Sequence, residues 1–365
     1  MPVVIIGGGP AGAATAIALC NIRISCIIVE QSETPVFKPG ESLPPTAHIP
    51  LQRLGLSHLL QEQQHTTCVG NMTSWGNDKI QTRHFFTEPH GNGWNIDRSF
   101  FEHQLLISAQ ERGTLLYYGY RSSGILRRGD DIYVNCINTK GENLEIKTSF
   151  IVDATGRSAC IARTAGVRRY TIDRLTGYYA LVDHTSDAFA NMNFIEAVSD
   201  GWWYASATKE GKHILNFMTD PDIHSIHPHT VQTWLFEKFI QTTHLKNNFH
   251  FNTPAQLTKV LVKPASTSCL EKITGDSWLA VGDAACTYDP LSSFGITAAL
   301  GSSLYAALAI KDYLTGNETS MKAYCHVQQQ SFNNYMTMLQ HQYSLEQRWK
   351  NSTFWQRRHL FNEYI

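Results

Sequence analysis

The chain opens on an apolar run, Val3-Val4-Ile5-Ile6, which breaks at Gly7-Gly8-Gly9 and gives way to a helix-forming stretch over residues 13–19. A second apolar run, Cys26-Ile27-Ile28-Val29, ends at Glu30. Unbroken apolar runs of this length predict strands buried on both faces, and strand, helix and strand in this order predict a parallel βαβ unit. Residues 75–94 are polar and aromatic, and predict strands that cross into a second unit. Residues 97–110, DRSFFEHQLLISAQ, set Phe101, Leu105 and Ala109 on one face, which predicts a helix N-capped by Asp97. Short alternating strands follow over 115–150, among them Ile132-Tyr133-Val134, with a turn at Lys140-Gly141-Glu142. Ile151-Val152 is a further buried strand. Aromatic and β-branched residues dominate 170–268, predicting an antiparallel sheet with one helix over 231–241. Leu279-Ala280-Val281 is a late strand, a helix begins near Ile296 and covers 298–314, and 320–358 predict one or two helices. No internal repeat or low-complexity tract interrupts this order.

With 365 residues the chain can hold one large α/β unit with an inserted domain. A formal net charge of −1 argues against nucleic acid or an anionic membrane surface as partner. No apolar run is long enough for a transmembrane helix, and a cofactor-type strand starting at residue 3 leaves no room for a signal peptide. The eight cysteines include no CxxC, so reduced thiols in a cytoplasm are expected. Of the sixteen histidines only His224, His227 and His229 cluster, in HSIHPH. That spacing suits no common metal site, so no metal is expected.

Candidate chemistry lies at the two ends. Gly7, Gly9 and Gly12 stand in GxGxxG register, serving a tight turn, close approach to a pyrophosphate and close helix–strand packing. The pyrophosphate would sit at the helix N-terminus, and Glu30 is suited to a ribose diol. This fingerprint alone does not separate NAD from FAD. The late element SWLAVGDAACTYDPLSSFGITAAL delivers Asp283, after Gly282, to a turn where it can bond a ribityl hydroxyl. From Pro290 to Gly295 the chain leads into a helix whose N-terminus would favour negative charge on a reduced flavin. The pair of elements points to FAD held along its whole length.

These residues, with Val152-Asp153-Ala154-Thr155-Gly156 between them, resemble the glutathione-reductase-type FAD fold of the p-hydroxybenzoate hydroxylase superfamily. Lys38-Pro39-Gly40-Glu41-Ser42-Leu43-Pro44-Pro45 is similar to the KxGESLPP loop of the halogenase-like branch, which lies along the flavin. Within that branch the loop, Asp200-Gly201-Trp202-Trp203-Tyr204 and the short length resemble the LodB/GoxB-type flavoproteins. Those mature the cysteine tryptophylquinone of amino-acid oxidases, and the resemblance points to the GoxB type, partner of a glycine oxidase. The implied fold is α/β: an FAD-binding Rossmann-like domain (1–74, 97–169 and 269–330), an inserted antiparallel-sheet substrate domain (75–96 and 170–268) and a helical C-terminal segment (331–365). The implied cofactor contacts are Gly7, Gly9, Pro10, Ala11 and Gly12, then Glu30 and Gln31, then Gly40, Glu41 and Ser42. They continue through Arg98, Thr155 and Gly156 to Gly282, Asp283, Pro290, Gly295 and Ile296.

The implied reaction is transfer of a hydroxyl from oxygen, activated by reduced flavin, to an electron-rich ring such as an indole. The expected activity is therefore an FAD-dependent monooxygenase that hydroxylates a tryptophan of a precursor amino-acid oxidase. Lys38, Glu41, Trp202, Trp203, Tyr204 and Phe294 are candidates for the substrate side, with Lys38, Glu41 and Trp202 as the catalytic set. Lys38 could donate a proton, position a peroxide, or be a solvated loop lysine; Glu41 could bond the flavin or hold its own loop. Trp202 and Trp203 alternate on one strand, so only one can face a pocket. The tail residues Trp349, Phe354, Trp355, Arg357 and Arg358 suit either a partner interface or a helix packed on the FAD-binding domain. Two departures qualify the resemblance. The WxWxIP segment of halogenases is missing, and Thr155 stands where the hydroxylases' Asp-Gly motif would place its Asp, which puts direct NAD(P)H reduction in doubt. A small-molecule halogenase or hydroxylase, and a non-catalytic flavin-binding chaperone, are the alternatives.

Overall fold

A computed structural model describes residues 1–34, 36–40, 42–183, 191–209, 211–249 and 251–360. Glu41 lies outside these residues, as does the end of the chain from 361. Among the described residues, Val3–Ile6 is the centre of a six-stranded sheet. It pairs in parallel with Cys26–Glu30 on one side and Phe150–Asp153 on the other. Leu115–Tyr118 and Trp278–Ala280 extend the parallel array, and Thr274–Gly275 closes one edge antiparallel. The unbroken apolar strands are buried because helices cover the sheet. Pro10–Asn21, with Pro10 in its first turn, packs against both Arg98–Glu111 and Gly295–Leu314.

The second unit is a seven-stranded sheet in the order Thr258–Pro264, Thr176–Asp183, Lys212–Thr219, Gly201–Ala207, Met192–Val198, Gly70–Ser74, Gln81–His84. All neighbours are antiparallel except Met192–Val198 and Gly70–Ser74, which run parallel. Gly70–Ser74 was expected with the cofactor-binding segments. Its sequence, GNMTS, is short, polar and without alternation, so its pairing is set by a strand far along the chain and leaves no local trace.

The sheet's two faces follow the two-residue period of its strands. Trp203, Phe217, Leu235 and Phe239 form one core under the helix Val231–Ile240. Trp202, Ile214, Met218 and Tyr179 point the other way, into a core shared with the cofactor-type unit and the C-terminal helices. Those helices are Thr319–Ser344 and Thr353–His359. The tail is packed, and on the seven-stranded sheet rather than the first unit. Trp355 is fully buried and donates from Nε1 to Val198 O at 2.9 Å. Arg358 pairs with Asp220 at 2.7 Å, both side chains 1% exposed. No helix of the described residues is long and apolar enough to cross a membrane.

Candidate functional site

The glycine loop, the 153–156 turn and the late Gly-Asp turn converge, and the sterics of three glycines show it. A Cβ at Gly7, where φ is +106°, would lie 2.3 Å from Ala154 O. At Gly12 it would lie 2.0 Å from Gly7 O, and at Gly282 2.6 Å from the Ala11 Cβ. No side chain fits at any of these points. At Gly9 and Gly295, by contrast, a Cβ would meet nothing within 4 Å, so the loop and the second helix start are open on their outer sides. The helix Pro10–Asn21 begins there and offers its free amides to an anion. Glu30 ends its strand beside the loop, accepting from Gly8 N at 2.6 Å and from Ser32 N at 2.8 Å. A carboxylate has about four lone-pair sites, so these two amides orient it and leave capacity for a diol. Gln31 follows, exposed.

Asp153 is buried and clamps the next turn. It accepts from Thr155 N and Oγ1 on one oxygen and from Ile161 N and Ala162 N on the other. Thr155 Oγ1 also accepts from Cys160 N, so this side chain is committed to the turn. Gly156, at φ +64°, continues it with open space where a Cβ would be. Asp283 keeps 44% of its side chain exposed, with Arg157 Nε at 4.0 Å. Desolvation pushes its carboxyl up against the pull of Arg157, Arg98 and Arg169. Arg169 donates to the carbonyls of Asp283 and Ala284 and to Ser268 Oγ, which pins the turn. Then Pro290–Ser292 leads through Ser293 and Phe294 into Gly295–Leu314, with Ile296 buried in the first turn. Thr297 in that turn carries a buried hydroxyl without a hydrogen-bond partner among the described residues. An open cradle with two helix N-termini, a ribose-type carboxylate and an orphaned hydroxyl fits a bound FAD.

The loop of residues 36–40 is tied down from the helix Arg98–Glu111. Glu102, 9% exposed, takes Lys38 Nζ at 2.6 Å and Arg98 Nε at 2.5 Å. Burial alone would push this carboxyl up, but Arg98 and Lys38 together hold it below the ordinary range. Arg98 also donates to Pro39 O and Gly40 O at 3.2 Å each. A Cβ at Gly40 would lie 2.8 Å from Arg98 Nη1. Arg98 thus acts through the loop's backbone, and Lys38 is ion-paired while 43% of its side chain stays exposed. Ser42, just beyond, accepts from Asn193 Nδ2 at 3.0 Å, which joins the loop to the seven-stranded sheet.

Trp202 takes the face toward the cofactor unit and is 1% exposed. Its Nε1 donates to Tyr343 OH at 3.0 Å, and Tyr343 OH donates to Asp289 Oδ2 at 2.7 Å. Asp289 Oδ1 accepts from Leu291 N, capping the Pro290–Ser292 turn. Burial pushes the Asp289 carboxyl up to about 7. Trp202 therefore positions the turn through this relay. Trp203 faces away, stacked on Phe217 at 4.9 Å between centroids. Tyr204 returns to the cofactor side, and Phe294 meets Tyr288 edge-on at 5.2 Å. In HSIHPH, His224 turns inward to Thr219 Oγ1 at 3.0 Å. Glu102, Arg169, Asp289 and Tyr343 were not singled out from the sequence. Only Glu102 carried a local signal, four residues after Arg98 on one helix face.

Residues 1–337 match the family described as FAD binding domain. The provisionally named FAD-dependent oxidoreductase LodB of Marinomonas mediterranea is 26% identical over 98% of this chain and 97% of its own length. Among solved structures, the flavin-dependent halogenase CmlS superposes with a TM-score of 0.87 at 24% identity, over 98% of this chain and 67% of CmlS. QhpG, described as a peptidyl tryptophan dihydroxylase essential for tryptophylquinone cofactor biogenesis, superposes with a TM-score of 0.79 at 22% identity. The QhpG match covers 98% of this chain and 78% of that one.

Proposed function

From membership of the FAD binding domain family, to which this chain belongs over residues 1–337, we propose that it hydroxylates a tryptophan side chain of a precursor protein. The chain is an FAD-dependent oxidoreductase of the halogenase and hydroxylase superfamily. The finer reading is a step in building a cysteine tryptophylquinone, on the precursor of an amino-acid oxidase of the glycine oxidase type, in a reducing cytoplasm. The observation that carries it is the likeness to LodB along nearly the whole of both chains. QhpG, on the same fold, is a peptidyl tryptophan dihydroxylase.

In this reading FAD supplies reduced flavin to activate oxygen. With that chemistry supplied, one oxygen atom would enter a ring C–H bond and the other would leave as water, the two electrons being drawn from the reduced cofactor. The chain's own residues do the holding. Gly7 to Gly12 and the start of Pro10–Asn21 take the pyrophosphate, Glu30 a ribose diol, and Asp283 a ribityl hydroxyl. Glu102 fixes Lys38 and Arg98, and through them the loop beside the flavin. Asp289, Tyr343 and Trp202 set the turn before Gly295, whose helix start favours negative charge on the ring. Glu41, outside the described residues, remains a proposed contact of the same loop.

The test is the intact mass of the candidate precursor oxidase, made with and without this protein under air. A gain of one oxygen on a single tryptophan, dependent on this protein and on oxygen, is the expected result. No gain while a stable complex forms would leave the chaperone reading standing instead. The high TM-score with CmlS gives halogenation a specific claim, so the assay is repeated with bromide present. A bromine in place of oxygen would decide for it.

A further inference from the structure

Along Lys212–Thr219, Leu215 and Phe217 lie in the core under Val231–Ile240, while Ile214 and Met218 lie in the core shared with the cofactor unit. Asn216 alternates with the second pair, so it faces the cofactor side. In register it stands opposite Tyr179 on one neighbouring strand and opposite Tyr204 on the other. Opposed residues have Cβ atoms about 4.5–5.5 Å apart, so an amide sits in a row between two tyrosine side chains. The row lies on the flavin-loop side. Tyr204 is opposite Ile195, and two residues back on that strand Asn193 donates to Ser42.

Asn216 is 3% exposed, and its Oδ1 has no hydrogen-bond partner among the described residues. A buried acceptor left without a donor is destabilising. Each such atom in a native interior calls for an explanation, and a ligand donor is one. Asn193 Oδ1 is also unpartnered, but that residue is already engaged by the loop and lies opposite Asn71 rather than an aromatic ring. Among the described residues, only at Asn216 does an unsatisfied side-chain carbonyl coincide with aromatic side chains on both flanks. An indole N–H is a donor without acceptor character, on a flat ring that suits aromatic walls.

We propose that Asn216 Oδ1 accepts the ring N–H of an indole substrate seated by Tyr179 and Tyr204. This rests on the tryptophan reading above and adds the residue that selects the ring. A site built around a hydrogen bond rejects the analogue that lacks the donor. The experiment titrates the FAD-loaded protein with indole and with N-methylindole and follows perturbation of the flavin absorbance. The wild-type protein is expected to favour indole about tenfold or more, and Asn216→Leu to bind both alike. Asn216→Leu should keep or raise the thermal midpoint, because no protein hydrogen bond is lost; a fall would make the residue structural and overturn the assignment. So would a wild-type protein that binds neither probe or does not discriminate. A preference that persists in Asn216→Leu, with FAD affinity weakened, would mean the carbonyl serves the flavin instead. The indole preference together with no oxygen gain on the precursor would remove the oxygenation reading and leave this site in place.

Discussion

Tyr343 is the residue on which the turn before Gly295 depends. It is fully buried, takes a hydrogen bond from Trp202 and gives one to Asp289. Tyr343→Phe keeps the ring and strands both partners, so a loss of about 2–5 kcal/mol is expected from two buried unsatisfied groups, measured by denaturant midpoint. Asp289 adds a pH dependence. Its folded carboxyl is raised to about 7, well above the ordinary carboxylate range. The protonated form is therefore favoured by the fold. Its contribution is complete in acid below the ordinary carboxylate pKa and is lost as pH rises through about 7. Asp289→Asn should flatten that slope, and melting curves at about pH 5 and about pH 8 check it. Asp173 and Arg358 also act on this carboxyl, the first raising and the second lowering its pKa, so the difference between wild type and variant carries the result. None of this relay was legible in the sequence. A Tyr in a long polar helix and an Asp before a Pro have no visible relation until the fold sets one 2.7 Å from the other.

At the scale of elements, legibility tracks how local the cause is. The cap at Asp97 was readable because its carboxylate needs only the amide of Phe100, three residues on, and it accepts that amide at 2.9 Å. Asp97→Ala should lower stability by about 1 kcal/mol. It should also weaken FAD binding, because the same first turn carries Arg98 and, one turn on, Glu102, which hold the loop. Flavin fluorescence titration measures the second effect. The tail helix was readable as a helix but not by its partner. Asp220 and Arg358 stand 138 positions apart, and nothing local joins them. Two arginines hold Asp220, whose carboxyl would rise on burial but is kept below its ordinary range by Arg358 and Arg357. Arg358→Met leaves a buried carboxylate with one exposed partner, and about 3 kcal/mol is the expected cost. Replacing Asp220 by Asn in the same chain should restore much of it, as a double-mutant cycle would show.

The whole molecule is divided by function but not by its core. One cluster runs from Val3 and Ile28 in the cofactor unit, through Leu300 and Tyr343 in the C-terminal helices, to Trp202 and Met218 on the inner face of the seven-stranded sheet. The glycine motifs at both ends of the chain were legible from their spacing, whereas the contacts that crowd Gly7 and Gly282, Ala154 O and the Ala11 Cβ, come from distant segments and were not. The crossing of Gly70–Ser74 was not, because a polar strand pairs wherever a neighbour presents an edge. The proposed FAD groove draws on the first thirty residues, the loop before Ser42, the turn after Asp153 and the stretch after Gly282, so a dinucleotide bound there would brace segments from the whole length. Unfolding should therefore be one cooperative transition that moves as a unit with ligand. With free FAD at about a hundred times its Kd, the gain expected is about 2.7 kcal/mol. Gly7→Ala, which drives a methyl into Ala154 O, should abolish the FAD-dependent part. Scanning calorimetry across an FAD titration is the measurement. Two transitions, of which only one responds to FAD, would show that the seven-stranded sheet folds apart from the cofactor unit and that the shared core does not couple them.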